Sequence, residues 1–264
     1  MSVAPVLAVI GGTGLYALDG LAITQRTPPV ATPWGQTSDG ITRGVLAGRE
    51  LAFLARHGSE HALAPHQVNY RANLWALHAL GCTRVLGINS VGGIRADLPP
   101  RTLAVPDQII DYTWGRAGSY GGEQGRPVLH ADFAEPYSAA LRSALFAAAQ
   151  TAAVALRAGG CYGCTQGPRL ESAAEIARLH RDGCAMVGMT GMPEAGLARE
   201  LGLEYACLAV VANWAAGRDP QPHAVTLEEV QAHVKAASAD IGPLLAALLA
   251  ALPQDAPPAP LTHA

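Results

Sequence analysis

Charge is scarce in this sequence and nearly balanced. Only 15% of its 264 residues are Asp, Glu, Lys or Arg, and 18 basic against 21 acidic side chains give a formal net charge of −3. With no basic excess to displace counterions from a phosphodiester backbone, nucleic acid is not an expected partner. Metal clusters are missing as well: Asp97, Asp107, Asp111, Asp132 and Glu135 are scattered, and no His/Cys group has the spacing of metal ligands. Five cysteines, an odd number in a chain this long, do not read as a disulfide framework. Met1–Pro5 carries no charged segment leading into a long apolar stretch, so no secretion signal is expected and the cytoplasm is the expected location. The longest apolar runs, such as Pro243–Leu252, read as Ala/Leu helix shorter than the roughly 20 residues of a membrane span, so no membrane is expected. What remains is a chain half of whose residues are apolar, with aromatics at 5%, long enough to bury a sizeable core in one α/β domain.

Branched apolar runs alternate with segments of helical spacing. Val6–Ile10 reads as a strand that stops at Gly11-Gly12-Thr13-Gly14. Tyr70–Leu80 places Leu74, Leu77 and Leu80 on one helical face, and Gly81 ends it before the strand Val85–Asn89. The alternation continues with strands over Leu103–Ile110, Met186–Met189 and Tyr205–Val211. The helices are expected over Ala139–Ala155, Ala173–Arg181, Pro193–Leu201 and Leu227–Leu252. This pattern predicts a single-domain α/β fold over residues 1–252, with a mixed, mostly parallel sheet flanked by helices. Residues 253–264, with four prolines and no periodicity, read as a disordered tail. In such sheets ligands sit at the carboxyl ends of strands, so Gly11–Gly14, Asn89–Gly93, Met189-Thr190 and Asn213 should converge.

Each motif has a bland reading beside a chemical one. The glycine loop with Thr13 suits an anion at a strand-to-helix turn, or is only a tight turn; it lacks the third glycine of a dinucleotide fingerprint and the lysine of a P-loop. Arg56, in Arg56-His57-Gly58 after the apolar Leu51–Leu54, can hold a phosphate in fork geometry or be a surface arginine. Glu171, in Thr165-Gln166-Gly167-Pro168-Arg169-Leu170-Glu171, is a ligand-binding carboxylate or a helix N-terminal one. Asn213 can offer donor and acceptor to a heterocycle, or sit in a turn. Cys161-Tyr162-Gly163-Cys164 has redox spacing, but in a strand its two cysteines face opposite sides. Cys82, Cys184 and Cys207 read as small core residues.

Taken together these segments resemble the trimeric purine nucleoside phosphorylase and methylthioadenosine phosphorylase family. The likeness runs in order through Ile10–Gly14, Leu54–Gly58, Val68–Asn73, Asn89–Gly93, Thr165–Glu171 and Gly188–Glu194 to Asn213. It implies cleavage of a purine ribonucleoside by inorganic phosphate, a co-substrate, with no metal or organic cofactor. It places Thr13, Arg56, His57, Asn89, Ser90 and Thr190 at phosphate-binding positions and Met189 beneath the ribose. Asn213, Glu171 and His57 are the implied catalytic residues, and Leu170 joins the substrate-binding set. A homotrimer is implied, with active sites at the subunit interfaces.

The resemblance also speaks to specificity. Adenine-cleaving members carry two aspartates, one residue apart, where this chain has Asn213 and Ala215. Asn213 can donate to O6 of a 6-oxopurine, whereas Ala215 offers no acceptor to an amino group. Glu171 matches the glutamate that 6-oxopurine enzymes use to accept N1–H. At the sugar end Leu227 stands where ordinary purine nucleoside phosphorylases place a histidine for the 5′-hydroxyl, and a leucine prefers a methylthio group. His130 matches the histidine that methylthioadenosine phosphorylases lend across the interface. The implied substrate is S-methyl-5′-thioinosine. The alternatives are a general 6-oxopurine nucleoside phosphorylase acting on inosine and guanosine, and a non-catalytic nucleoside-binding protein.

Overall fold

The computed structural model describes residues 7–15, 18–220 and 226–253, without the Leu227 side chain. The chain begins with β1 (Leu7–Gly11), an antiparallel hairpin of β2 (Ala22–Thr32) and β3 (Gly35–Leu46), then β4 (Arg49–Ala55), α1 (Tyr70–Ala79) and β5 (Arg84–Gly93). Next come β6 (Leu103–Val105), β7 (Gln108–Asp111), α2 (Ala139–Thr151), β8 (Leu156–Ala158) and β9 (Cys161–Cys164). The last elements are α3 (Ala173–Arg181), β10 (Cys184–Gly188), α4 (Gly191–Glu200), β11 (Glu204–Trp214) and α5 (Leu227–Ala251). Among the described residues, eleven strands join one mixed sheet, mostly parallel, as the alternation predicts. The tail expected over 253–264 lies outside the described residues beyond Pro253.

Two elements differ from the sequence reading. Leu103–Ile110 is not one strand: the break falls at Pro106, which lacks a ladder donor, and β6 pairs with β11 and β8 while β7 pairs with β9. The β2–β3 hairpin is invisible to hydrophobic periodicity because β2, with Pro28 and Pro29, is exposed along most of its length. α5 matches the helix expected over Leu227–Leu252, but its window Glu228–Ala251, longer than the apolar run Pro243–Leu252, is long and apolar enough, by length and composition, to cross a membrane. Here it packs against the sheet instead. Val234, Ala237, Ile241, Leu244, Leu245, Leu248 and Leu249 recur every three or four residues and bury one face, while Pro243 lies on the exposed face.

The sheet creates its own opening. One edge of β5 pairs with β1 through Ile10↔Gly87, and with antiparallel β10 from Val187↔Gly92 onward. Between these pairings, residues 88–91 have no strand on that side, which frees backbone and side chains to line a cavity. The other edge of β5 runs beside β11, whose register slips between Val211 and Asn213 and leaves Ala212 as the extra residue of a bulge.

Candidate active site

A cavity of about 820 Å³ opens at this change of partner. It brings together Thr13, Arg56, His57, Ser90, Leu170, Glu171, Met189, Thr190, Asn213 and Ala215, gathered from six separate stretches of sequence. The four strand ends expected to converge do so.

Its anionic end is built around a buried ion pair. Arg56 has no exposed surface, and its Nε and one terminal nitrogen donate to the two carboxylate oxygens of Glu194, both at 2.8 Å. The other terminal nitrogen donates to the Ile88 carbonyl at 3.0 Å, on the unpaired stretch of β5. Tyr205 adds a hydroxyl bond to Glu194 at 2.9 Å. The fork of Arg56 is therefore turned onto Glu194 and not toward a ligand, which corrects the fork-geometry expectation; the remaining N–H on the nitrogen bound to Ile88 is what it can offer the cavity. Burial alone would lower the guanidinium pKa, but the charge and hydrogen bonds of Glu194 reverse this and hold it well above its usual value. Gly12 makes the arrangement possible, since a Cβ there would lie 2.8 Å from the Ile88 oxygen and 3.0 Å from the Arg56 guanidinium.

Around this pair stand hydroxyls with defined roles. Asn89 is fully buried and does not line the cavity; it donates to the Thr190 hydroxyl at 2.7 Å, which leaves the Thr190 proton free for an anion. Asn89 thus acts through Thr190, not on a ligand. Ser90 Oγ donates to the Thr13 carbonyl at 3.0 Å and fixes the glycine loop against β5. His57 places Nδ1 2.8 Å from the Leu63 carbonyl, so Nδ1 carries the proton and the neutral ring keeps a lone pair on Nε2. Burial, followed by the charge of Arg56, lowers the His57 pKa to about 4.

At the other end, Thr165 donates to a Glu171 carboxylate oxygen at 2.5 Å and fixes that side chain at the cavity wall. The capping box of α3 is formed by Ser172 and Glu175, so Glu171 is not needed there. Asn213 sits at the β11 bulge, where its amide donates to the Trp214 carbonyl at 2.7 Å. Among the described residues, no partner takes its second N–H or its carbonyl oxygen. The carbonyl of the extra residue, Ala212, accepts from His233 of α5 at 2.7 Å. Ala215 is buried and presents only a methyl group, and Leu170 is 56% exposed at the rim.

Other expected residues lie elsewhere. His130 is exposed and outside the cavity of its own chain. Leu227 opens α5, but its side chain is outside the described residues, although Thr226 and Val230 beside it line the cavity. The cysteines of the C-x-x-C do face apart: the Met192 N–H donates to Cys164 at 3.2 Å, whereas Cys161 meets Cys184 on the next strand. Among the described residues no His/Cys/Asp/Glu group could hold a metal ion. Sequence reading missed Glu194, Tyr205, Thr165 and His233 as parts of the site. For Glu194 a signal existed, because a carboxylate in the apolar-flanked Pro193-Glu194-Ala195 needs a buried partner.

Hydroxyls, a buried guanidinium and a carboxylate thus line one cavity where the strands of an α/β sheet change partner, the usual place for a ligand in such folds. Residues 6–250 match the phosphorylase superfamily, and the chain belongs to it. It is 58% identical over 243 residues to a probable S-methyl-5′-thioinosine phosphorylase of Xanthomonas campestris, covering 92% of this chain and 96% of that protein. It is 41% identical to the 6-oxopurine nucleoside phosphorylase of Pyrococcus furiosus, covering 95% and 94% of the two chains. Among solved structures it is similar to the methylthioadenosine phosphorylase of Schistosoma mansoni in complex with adenine. The TM-score is 0.88 at 30% identity, with 93% of this chain and 91% of that one covered.

Proposed function

We propose that this enzyme cleaves S-methyl-5′-thioinosine with inorganic phosphate, giving hypoxanthine and 5-methylthioribose 1-phosphate. The observation that carries the reading is the pairing, in one cavity, of a hydroxyl-rich anion cradle with a base wall of Glu171, Asn213 and Ala215. Thr13, Thr190 and the remaining Arg56 N–H hold phosphate below C1′ while Ser90, whose proton goes to the Thr13 carbonyl, fixes the glycine loop, and neutral His57 accepts from a protonated phosphate oxygen. Met189 packs under the ribose, where its thioether excludes water without a competing nucleophile. As the glycosidic bond lengthens, positive charge grows on the sugar beside the phosphate and negative charge on the purine. Glu171 accepts N1–H, and Asn213 donates to O6, so the base leaves with its developing charge bonded. Phosphate is a co-substrate, and protein donors alone serve the reaction.

An adenine base fits this wall poorly, having an unprotonated N1 toward Glu171 and a 6-amino group toward the Ala215 methyl. Val230 and the start of α5 line the sugar side, which favours a methylthio group over a hydroxyl. The names of the Xanthomonas and Pyrococcus relatives support the 6-oxopurine choice, and the first supports the methylthio group. A cytoplasmic homotrimer, in which His130 closes a neighbour's 5′ pocket, completes the reading. The test is phosphate-dependent base release from methylthioinosine, methylthioadenosine, inosine, guanosine and adenosine, with sedimentation to give the assembly. Methylthioinosine should be cleaved best; equal rates with methylthioadenosine would sink the base assignment, and a fully active monomer would sink the trimer.

A further inference from the structure

We infer that Arg116, which does not line the cavity, is a positioning residue that locks the base-side segment 165–171 to the sugar-side segment 189–192. The inference rests on the nucleoside reading of the cavity, though not on which purine it takes. Arg116 lies half-buried in the connection between β7 and α2. One terminal nitrogen donates to the carbonyls of Met189 at 2.8 Å and Met192 at 2.6 Å. The other donates to the carbonyl of Gln166 at 2.8 Å and approaches that of Thr165 at 3.4 Å. Its Nε reaches the Gln166 side-chain oxygen at 3.3 Å, which also accepts from the Trp114 N–H at 3.1 Å. The guanidinium lies 5.6 Å from the centre of the Tyr70 ring.

The need for such a clip follows from the sheet. β9 and β10 are paired up to Cys164↔Gly188, and one further bond runs from the Thr165 N–H to the Gly188 carbonyl at 2.8 Å. Past that point both chains leave the ladder, turn in different directions and carry the site: Glu171 on one, Met189 and Thr190 on the other. Their carbonyls have lost strand partners, and a planar cation with five donors in a fixed fork can serve several at once. The same geometry sets the gap between base and sugar contacts. Gly167, at φ +60, turns the base-side chain so closely over the Met189 side chain that a Cβ there would lie within 3 Å of its sulfur. The phosphate end has separate supports in Glu194, Asn89 and Ser90.

This separation makes the role testable. Arg116→Ala and Arg116→Lys are assayed in the full-length enzyme with whichever purine nucleoside the wild type cleaves best. Arg116→Ala should raise the nucleoside KM on the order of 10–100-fold, the cost of misplacing contacts by about an ångström, while the phosphate KM stays within about threefold. Added guanidinium ion should restore part of the Arg116→Ala loss, and Arg116→Lys, a point charge without the fork, should fall between. Equal rises in both KM values, unchanged nucleoside KM, or full activity in the lysine variant would overturn the inference. Should Arg116→Ala fail to fold, the KM split in Arg116→Lys decides alone. A wild type that prefers an adenine nucleoside would defeat the 6-oxopurine reading and leave this one standing; cleavage of no purine nucleoside would defeat both.

Discussion

Arg56 and Glu194 meet through two parallel hydrogen bonds of 2.8 Å, with essentially no exposed surface on either side chain. The pair neutralises Arg56 at the cavity, so in the proposed reaction a phosphate dianion would be held mainly by hydroxyl dipoles and one guanidinium N–H.

Removing one partner should therefore cost stability as well as activity. Arg56→Ala leaves a buried carboxylate alone and should destabilise the fold by about 3–5 kcal/mol. Arg56→Met combined with Glu194→Gln leaves no charge stranded and keeps an acceptor for Tyr205, so it should regain most of that loss while remaining inactive. Urea unfolding and phosphorolysis, measured on the same samples, separate the two effects. An Arg56→Ala protein as stable as wild type would refute the buried-charge account.

Acid should destabilise the protein through His57. Its folded pKa is about 4 against an ordinary 6.5, so between those values the unfolded chain binds more protons and stability rises with pH. The contribution is complete above about pH 6.5 and lost as pH falls toward 4, a span of about 3 kcal/mol at most. Burial also lowers the pKa values of His61 and His78, with the same sign. The check is thus a difference: unfolding free energies from pH 4.5 to 7.5 should slope less steeply in His57→Gln than in wild type. Parallel slopes would show that the ring titrates normally in the folded state.

Thr165 offers a narrower test of the base wall. Thr165→Val keeps the shape and removes the hydroxyl that donates to Glu171. A charge-assisted bond of this kind is worth about 1.5–3 kcal/mol, so kcat/KM for 6-oxopurine nucleosides should fall roughly 10–100-fold. Cleavage of an adenine nucleoside, which draws nothing from that carboxylate, should change little. A uniform loss on both classes would mean that Thr165 supports the loop and not the carboxylate.

Strand ends were legible in the sequence because glycine loops and apolar runs mark them, and this sufficed to gather Thr13, Ser90, Thr190 and Asn213 around one opening. Side-chain direction was not legible. Arg56 looked like a phosphate fork because nothing local shows that Glu194, 138 residues away, occupies that fork. The β11 bulge that aims Asn213 depends on register against β5, and its support by His233 depends on how α5 crosses the sheet. These are tertiary facts without a short-range signal. Arg116 follows the same rule: Trp114-Gly115-Arg116 reads as loop, and only the fold brings six polar atoms to its guanidinium.

The base itself supplies the sharpest prediction. With Glu171 held by Thr165, and Ala215 buried without a polar atom, adenine would face a carboxylate with no proton to give it and leave its amino group unbonded. Unpaired polar groups in a specific site cost several kcal/mol, so methylthioinosine should exceed methylthioadenosine by about 10²–10⁴-fold in kcat/KM. Asn213→Asp with Ala215→Asp supplies an acceptor for the amino group and removes the donor to O6, and should narrow or invert that ratio. Ala215 lines the cavity, so the new carboxylate can extend into it. Released hypoxanthine and adenine are separated chromatographically after reaction with matched methylthio nucleosides. If the double variant keeps the wild-type preference while its phosphate KM is unchanged, the two positions do not contact the 6-substituent, and the base must lie in a different orientation against Glu171.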